Sequence, residues 1–186
     1  MGWFSRKETI FIGCIKMEKI NFYLKTAQVA KDKTVASLVQ NYLNKAKNNL
    51  ITMRLLSELN NKKLKKLMKI PKEYDSNEWI VITGYYAMYT AALALLAKIG
   101  FRSKNHAATL LILEECFVKN KYLDRKDVLL IKNAQFQKEE IEKVSNARHK
   151  REIAQYSITK QTTEDIAEKI KNDAYDFVNK VELILT

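Results

Sequence analysis

The feature that most constrains the fold is a long uncharged stretch at residues 79–99, WIVITGYYAMYTAALALLAKI. Its first nineteen residues carry no charge, and nearly every position is apolar, aromatic or small. As an α-helix the stretch is about 32 Å long, which is also long enough to cross a bilayer. A helix with hardly any polar face must be covered on all sides, so the rest of the chain is expected to surround it.

The composition of the stretch favours a buried helix over a membrane span. Only six of its first nineteen residues are Leu, Ile or Val, the side chains that supply insertion energy here. Small residues such as Gly84 allow neighbouring helices to approach closely. Tyr85, Tyr86 and Tyr89 are expected in the core or at a dimer interface, with hydroxyl groups that need partners.

The chain is predicted to be all-α, because 4 glycines and 1 proline in 186 residues are too few for a β-rich fold. The 2 cysteines form no CxxC pair, and with 2 histidines and no Glu-x-x-His motif no metal or other cofactor is expected. The apolar patch at residues 10–15 is too short for a signal peptide, so a cytoplasmic location is expected.

Apolar periodicity and capping residues predict an up-and-down bundle of five to six helices. The predicted helices cover residues 18–31, 34–60, the central stretch, 103–118, 124–156 and 162–185, with a partly helical basic connector at 62–72. The expected caps are Thr34, Asp75 or Ser76, Gly100, Ser103 or Asn105, Asp124 and Thr162, and a break near Phe136 is left open. Residues 1–33 are predicted to be a leader or extra helix, and residues 34–186 the bundle.

The positive charge is concentrated at one end of the sequence. Residues 1–72 contain 16 lysines and arginines against 4 acidic residues, whereas residues 73–186 contain 17 of each sign. Such a basic segment attracts phosphate backbones or an acidic protein. A lysine-rich solvated surface is the alternative, because KKLKKLMK has no interleaved aromatic residues.

The block YYAMYTAALALLAKIGFRSKNHAATLLILEE, residues 85–115, resembles the core of HEPN-domain proteins. Residues 38–59 are similar to the first bundle helix of that family, and REIAQY at 151–156 and AYDFVNKVELIL at 174–185 to its last two. The resemblance implies a helical bundle that often forms homodimers, is encoded beside minimal nucleotidyltransferases in toxin-antitoxin pairs, and in many members cleaves RNA without a metal.

The catalytic motif of HEPN RNases is an Arg, four to six residues, a His and often a Tyr two residues later. In this sequence Tyr156 matches the Tyr, but Ala154 stands at the His position and Arg148 lies six residues before it. Thr90 also stands where many relatives have His. Because alanine cannot move a proton, and a positioned acid or base contributes about 10² to 10⁴ in rate, the resemblance implies a catalytically degenerate site.

Two groups of residues are candidates for contact with nucleic acid or catalysis. The degenerate catalytic set consists of Arg148, Arg151 and Tyr156. The alternative is a solvated helix end with Tyr156 in the core. His149 lies beside these residues among solvated charges.

The turn residues Arg102, Lys104 and His106 could bind phosphate at the start of the next helix, or could act only as a soluble loop with a cap.

The sequence therefore supports a homodimeric HEPN-like binding module for nucleic acid or a nucleotidyltransferase, with Tyr156 as the candidate for adenylylation. The alternative is a metal-independent endoribonuclease with a composite site of Arg148, His149, Arg151 and Tyr156 from two subunits, to which His106 could contribute. A third reading is a bundle whose basic half only suits a warm or high-salt cytoplasm.

Overall fold

The uncharged stretch forms the central helix of the fold. In the computed structural model, which describes residues 18–150 and 164–186, the elements are α1 (Glu18–Lys25), β1 (Val29–Lys31), a 3-10 helix (Lys33–Leu38), α2 (Val39–Glu58), α3 (Lys62–Leu67), α4 (Asn77–Lys98), β2 (Phe101–Ser103), α5 (His106–Leu113), a π-helical segment (Glu114–Val118), α6 (Arg125–Lys150) and α7 (Glu164–Leu185). The all-α class is confirmed. The described residues contain seven α-helices and not the five to six predicted, because the basic connector contains the short helix α3.

Helix α4 packs against α2, α6 and α7, and fourteen of its 22 residues are buried. It is long and apolar enough to cross a membrane, but 72% of its most apolar window is buried within the protein, as in the core helix of a soluble protein. Trp79 and Tyr86 are its exposed large side chains, at 55% and 40% exposure. The prediction of a central core helix is confirmed, whereas the cytoplasmic location stays a prediction.

Contacts between the four long helices show that their directions alternate. The amide of Asn60, just after α2, donates to Asn77 at the start of α4, 3.0 Å away. Lys47, in the first half of α2, pairs with Glu182 near the end of α7 at 2.5 Å. Lys180 of α7 pairs with Asp127, in the first turn of α6, also at 2.5 Å. Helices α2 and α6 therefore run antiparallel to α4 and α7.

Several predicted helix ends are confirmed. Asn105 caps α5, because its side chain accepts a hydrogen bond from the Ala108 N–H at 3.0 Å. Gly100 follows the end of α4 at φ 75°, a conformation that glycine adopts without strain. At the start of α4, Asp75 accepts from the Asn77 N–H at 3.0 Å.

The helix predicted over residues 18–31 is wrong in its second half. Helix α1 ends at Lys25, Ala27 takes a positive φ of 55°, and β1 pairs antiparallel with β2 across the chain. Val29 is buried in this small sheet at 2% exposure. A pairing partner about 70 residues away overrides the loose helical pattern, and the described part of the predicted leader packs onto the bundle.

Two further predictions about helix ends need correction. Helix α2 begins at Val39 and not at Thr34, because Asp32 instead caps a 3-10 helix by accepting from the Thr34 N–H at 3.0 Å. The break considered near Phe136 does not occur, since α6 is continuous and Phe136 lies on its solvent side at 57% exposure. The predicted capping residue Thr162 lies outside the described residues.

Candidate functional site

One basic surface is the segment 62–72, called here the α3 basic segment. Helix α3 has no buried residue, and Asn61 caps it by accepting from the Lys63 N–H at 2.9 Å. Five lysines of the segment are exposed: Lys62, Lys63, Lys66, Lys69 and Lys72. None of the ion pairs between described residues involves a lysine of this segment. Its charge is therefore available to a partner.

The alternating helices place the end of α6 at the same end of the bundle as the α3 basic segment. Lys138 of α6 lies level with Tyr85 and Tyr86 of α4, and α6 runs antiparallel to α4 for a further twelve residues, about 18 Å. The last turns of α6 thus extend towards the start of α4, which follows the α3 basic segment. Arg148 and His149 belong to these turns, although their side chains are outside the described part. Arg151 and Tyr156 lie outside the described residues altogether.

The turn residues predicted to bind phosphate do not act as one group. Arg102 of β2 pairs with Asp32, with 3.1 Å between Nη2 and Oδ2. The hydrogen bond from the Thr34 hydroxyl lowers the pKa of Asp32, and the Arg102 charge lowers it further. Lys104 is exposed, and its backbone N–H donates to Gln28 at 2.9 Å. Arg102 is thus engaged within the protein, whereas the Lys104 ammonium faces solvent.

His106 belongs to a different group, a cluster with Tyr85, Tyr86, Tyr89 and Lys138 that we call the tyrosine–histidine cluster. Its Nδ1 atom is hydrogen-bonded to the Tyr85 hydroxyl. Its ring stacks on Tyr89 with 4.3 Å between centroids. Burial lowers the pKa of His106, and the nearby Lys138 ammonium lowers it further. A histidine in this setting is neutral at pH 7 and joins α5 to α4.

Lys138 completes the cluster from α6. Its ammonium lies 5.6 Å and 5.5 Å from the ring centroids of Tyr85 and Tyr86, and 2.7 Å from the Glu142 carboxylate. Burial is the largest single effect and would lower the pKa of Lys138, but the hydrogen bonds and charges of Glu142 and Tyr86 together outweigh it and the pKa is raised. Burial raises the pKa of Tyr85, so its hydroxyl stays protonated. The sequence predicted Tyr85 as core, but no local pattern identified Lys138 as its partner.

The side chains of this cluster form hydrogen bonds with one another, so the cluster has little free positive charge with which to bind an anion. The Lys138 charge is neutralised by Glu142, and neutral Tyr85 and His106 satisfy each other. Among the side chains that the structure describes, no group of three or more His, Cys, Asp or Glu residues could hold a metal ion. The α3 basic segment is thus the stronger candidate for contact with phosphates.

The fold and this surface define a class, an up-and-down helical bundle with an exposed lysine-rich segment between α2 and α4. The chain is 34% identical over 128 residues to a UPF0332 protein of Archaeoglobus fulgidus, and the match covers 67% of this chain and 91% of the relative. The chain therefore belongs to the UPF0332 family. No family model and no solved structure matches it.

Proposed function

We propose that this chain is a HEPN-like binding module that engages nucleic acid through the α3 basic segment and no longer cleaves RNA efficiently. The observation that carries the proposal is the set of five exposed lysines on the α3 basic segment, free of ion pairs with described residues, at the end of the bundle where α6 brings Arg148. The resemblance of residues 85–115 to HEPN proteins supplies the class of module.

The segment is suited to phosphates for electrostatic reasons. Lysines spaced along a helix of one and a half turns place several positive charges within about 10 Å, close to the screening length at 0.1 M salt. A polyanion that neutralises such charges releases condensed counterions, and its affinity then falls steeply with added salt. Exposed lysines without base-reading partners favour binding that depends little on sequence.

The proposal is tested with a labelled single-stranded RNA, by measuring fluorescence anisotropy between 50 and 200 mM salt. We expect the Lys62→Ala, Lys63→Ala, Lys66→Ala variant to bind more weakly and to lower the log–log salt slope by about 2, since each contact with a single strand contributes about 0.7.

The matched control removes three exposed lysines elsewhere, as Lys25→Ala, Lys98→Ala, Lys121→Ala. It lowers the net charge equally and should keep most of the slope. Equal losses of affinity and of salt slope in both variants would mean that RNA binding depends only on the net charge of the protein and not on the α3 basic segment. Absence of binding at 50 mM salt would overturn the proposal and favour a bundle whose basic surface only confers solubility.

A nucleotidyltransferase is the partner that the resemblance implies besides RNA. Tyr156 matches the motif Tyr, so we expect adenylylation at Tyr156 after co-expression with a nucleotidyltransferase encoded beside the gene. Intact-mass and peptide mass spectrometry measure the modification, and Tyr156→Phe is the control. Only unmodified Tyr156 under these conditions would count against this partner.

The second candidate function is metal-independent RNA cleavage by two subunits. It is favoured by the neighbouring Arg148 and His149, at the same end of the bundle as the α3 basic segment, which could supply a cation and a proton carrier. Cleavage that survives EDTA and is lost in Arg148→Ala, Arg151→Ala would establish it. If neither protein cleaves the RNA, the degenerate binding module is retained.

A further inference from the structure

An apolar groove runs between α1, α5 and α6, far from the α3 basic segment. It is an open cavity of about 630 Å³ whose described walls include Phe22, Leu110, Leu111 and Leu129, with Glu114 and Lys132 beside them. Phe22 and Leu129 remain 62% and 46% exposed. Large apolar side chains grouped around an open groove indicate a surface that a further apolar segment covers.

We propose that residues 10–15 of this same chain, IFIGCI, occupy the groove. The first argument is proximity along the chain. Helix α1 begins at Glu18, and Phe22, one turn later, forms part of the groove wall. The segment that precedes α1 therefore starts beside the groove, and a partner tethered so closely has a high effective concentration.

The second argument is length. Residues 10–17 can span about 26 Å when extended. The groove wall from Ala107 of α5 to Glu114, the first residue of the π-helical segment, is about 10 Å long. The apolar run can therefore lie along the groove without strain, whether extended or helical.

The third argument is chemistry. Residues 10–15 carry no charge, as an occupant of an apolar groove requires. The proposal does not depend on nucleic-acid binding. It means that the groove is filled by the protein itself and is not a ligand pocket.

The test is photo-cross-linking of the full chain with benzoylphenylalanine in place of Phe11. We expect a cross-link within one chain. Mass spectrometry should find residue 11 linked to peptides that contain residues 107–114 or 128–132. The same probe in place of Trp3 is the control, since residue 3 lies outside the apolar run. A cross-link between two chains would show that a second copy fills the groove. A cross-link to another surface, or none, would also overturn the proposal.

A second measurement uses the Ile12→Lys, Ile15→Lys variant of the full chain. Expulsion of the segment should raise the fluorescence of a bound apolar dye severalfold, while circular dichroism shows an intact bundle. A matched Leu129→Lys substitution in the same variant should lower the dye signal again, because it removes part of the exposed groove. An unchanged dye signal in a folded Ile12→Lys, Ile15→Lys protein would contradict the proposal.

Discussion

Gly84 shows how a single residue limits the distance between helices. A Cβ atom at this position would lie 2.8 Å from Cγ2 of Ile170 on α7 and 3.1 Å from Sδ of Met53 on α2. Neither distance is compatible with an undisturbed core. The close approach of α2, α4 and α7 therefore requires glycine here, although glycine is a poor helix former.

Substitution of Gly84 by alanine is expected to destabilise the protein by about 1–2 kcal/mol. Overpacking costs about 1–3 kcal/mol, and the higher helix propensity of alanine returns up to about 1 kcal/mol. Urea unfolding measures the difference. Thr83→Ala, at the adjacent partly exposed position, should be neutral or slightly stabilising. A stabilised Gly84→Ala protein would show that the helices can separate at no cost.

His106 predicts a dependence of stability on pH. Its folded-state pKa lies below the ordinary value of 6.5, so the unfolded chain binds more protons between the folded pKa and about 6.5. The free energy of unfolding should therefore fall as the pH decreases through this window. In His106→Asn, which keeps an acceptor near the Nδ1 position, thermal unfolding between pH 7 and 5 should show a smaller decrease in Tm.

The second histidine provides the control for this measurement. His149→Asn should retain the decrease seen in the wild type. Equal profiles for wild type and His106→Asn would show that burial and the Lys138 charge do not lower the pKa of His106 in solution.

At the scale of elements, α7 shows how an apolar pattern in the sequence becomes a buried face. Its apolar residues repeat at three and four positions, and Ile170, Ala174, Phe177, Val178 and Val181 are all buried. This spacing places them on one side of the helix, which packs mainly against α4 and also contacts α2 and α6.

A pair of substitutions in α7 tests the difference between its buried and its exposed positions. Phe177→Ala removes a fully buried ring and should cost about 3–5 kcal/mol of unfolding free energy. Leu183→Ala, where the side chain is 78% exposed, should change it by less than about 0.5 kcal/mol. Both values come from chemical denaturation. Similar values for the two variants would mean that α7 does not pack as described.

The whole molecule is predicted to be a homodimer, a property that rests on the HEPN resemblance. Sedimentation equilibrium at micromolar concentration should give twice the chain mass of 21.7 kDa. The mass should persist at 0.5 M salt if the interface is mainly apolar, because salt screens charge pairs but not apolar burial. A single-chain mass at all concentrations would contradict the prediction and would remove the two-subunit RNase site.

Helix direction decides where the α3 basic segment lies in the molecule. The excess of lysine was visible in the sequence, but its position beside the end of α6 follows only from the antiparallel run of α4 and α6. The turn residues show the converse, since adjacent positions in the sequence separate in the fold. Arg102 pairs with Asp32, whereas His106, four residues later, packs against α4.

The sequence by itself determined the class, the central helix and the local caps at Asn105 and Gly100, because these depend on the composition and on contacts a few residues apart. Only the tertiary structure decided the pairing of β1 with β2, the partners of His106 and the place of Lys138. Each of these joins residues that are at least 17 positions apart. No periodicity encodes such contacts, since they arise from the packing of complete helices against one another.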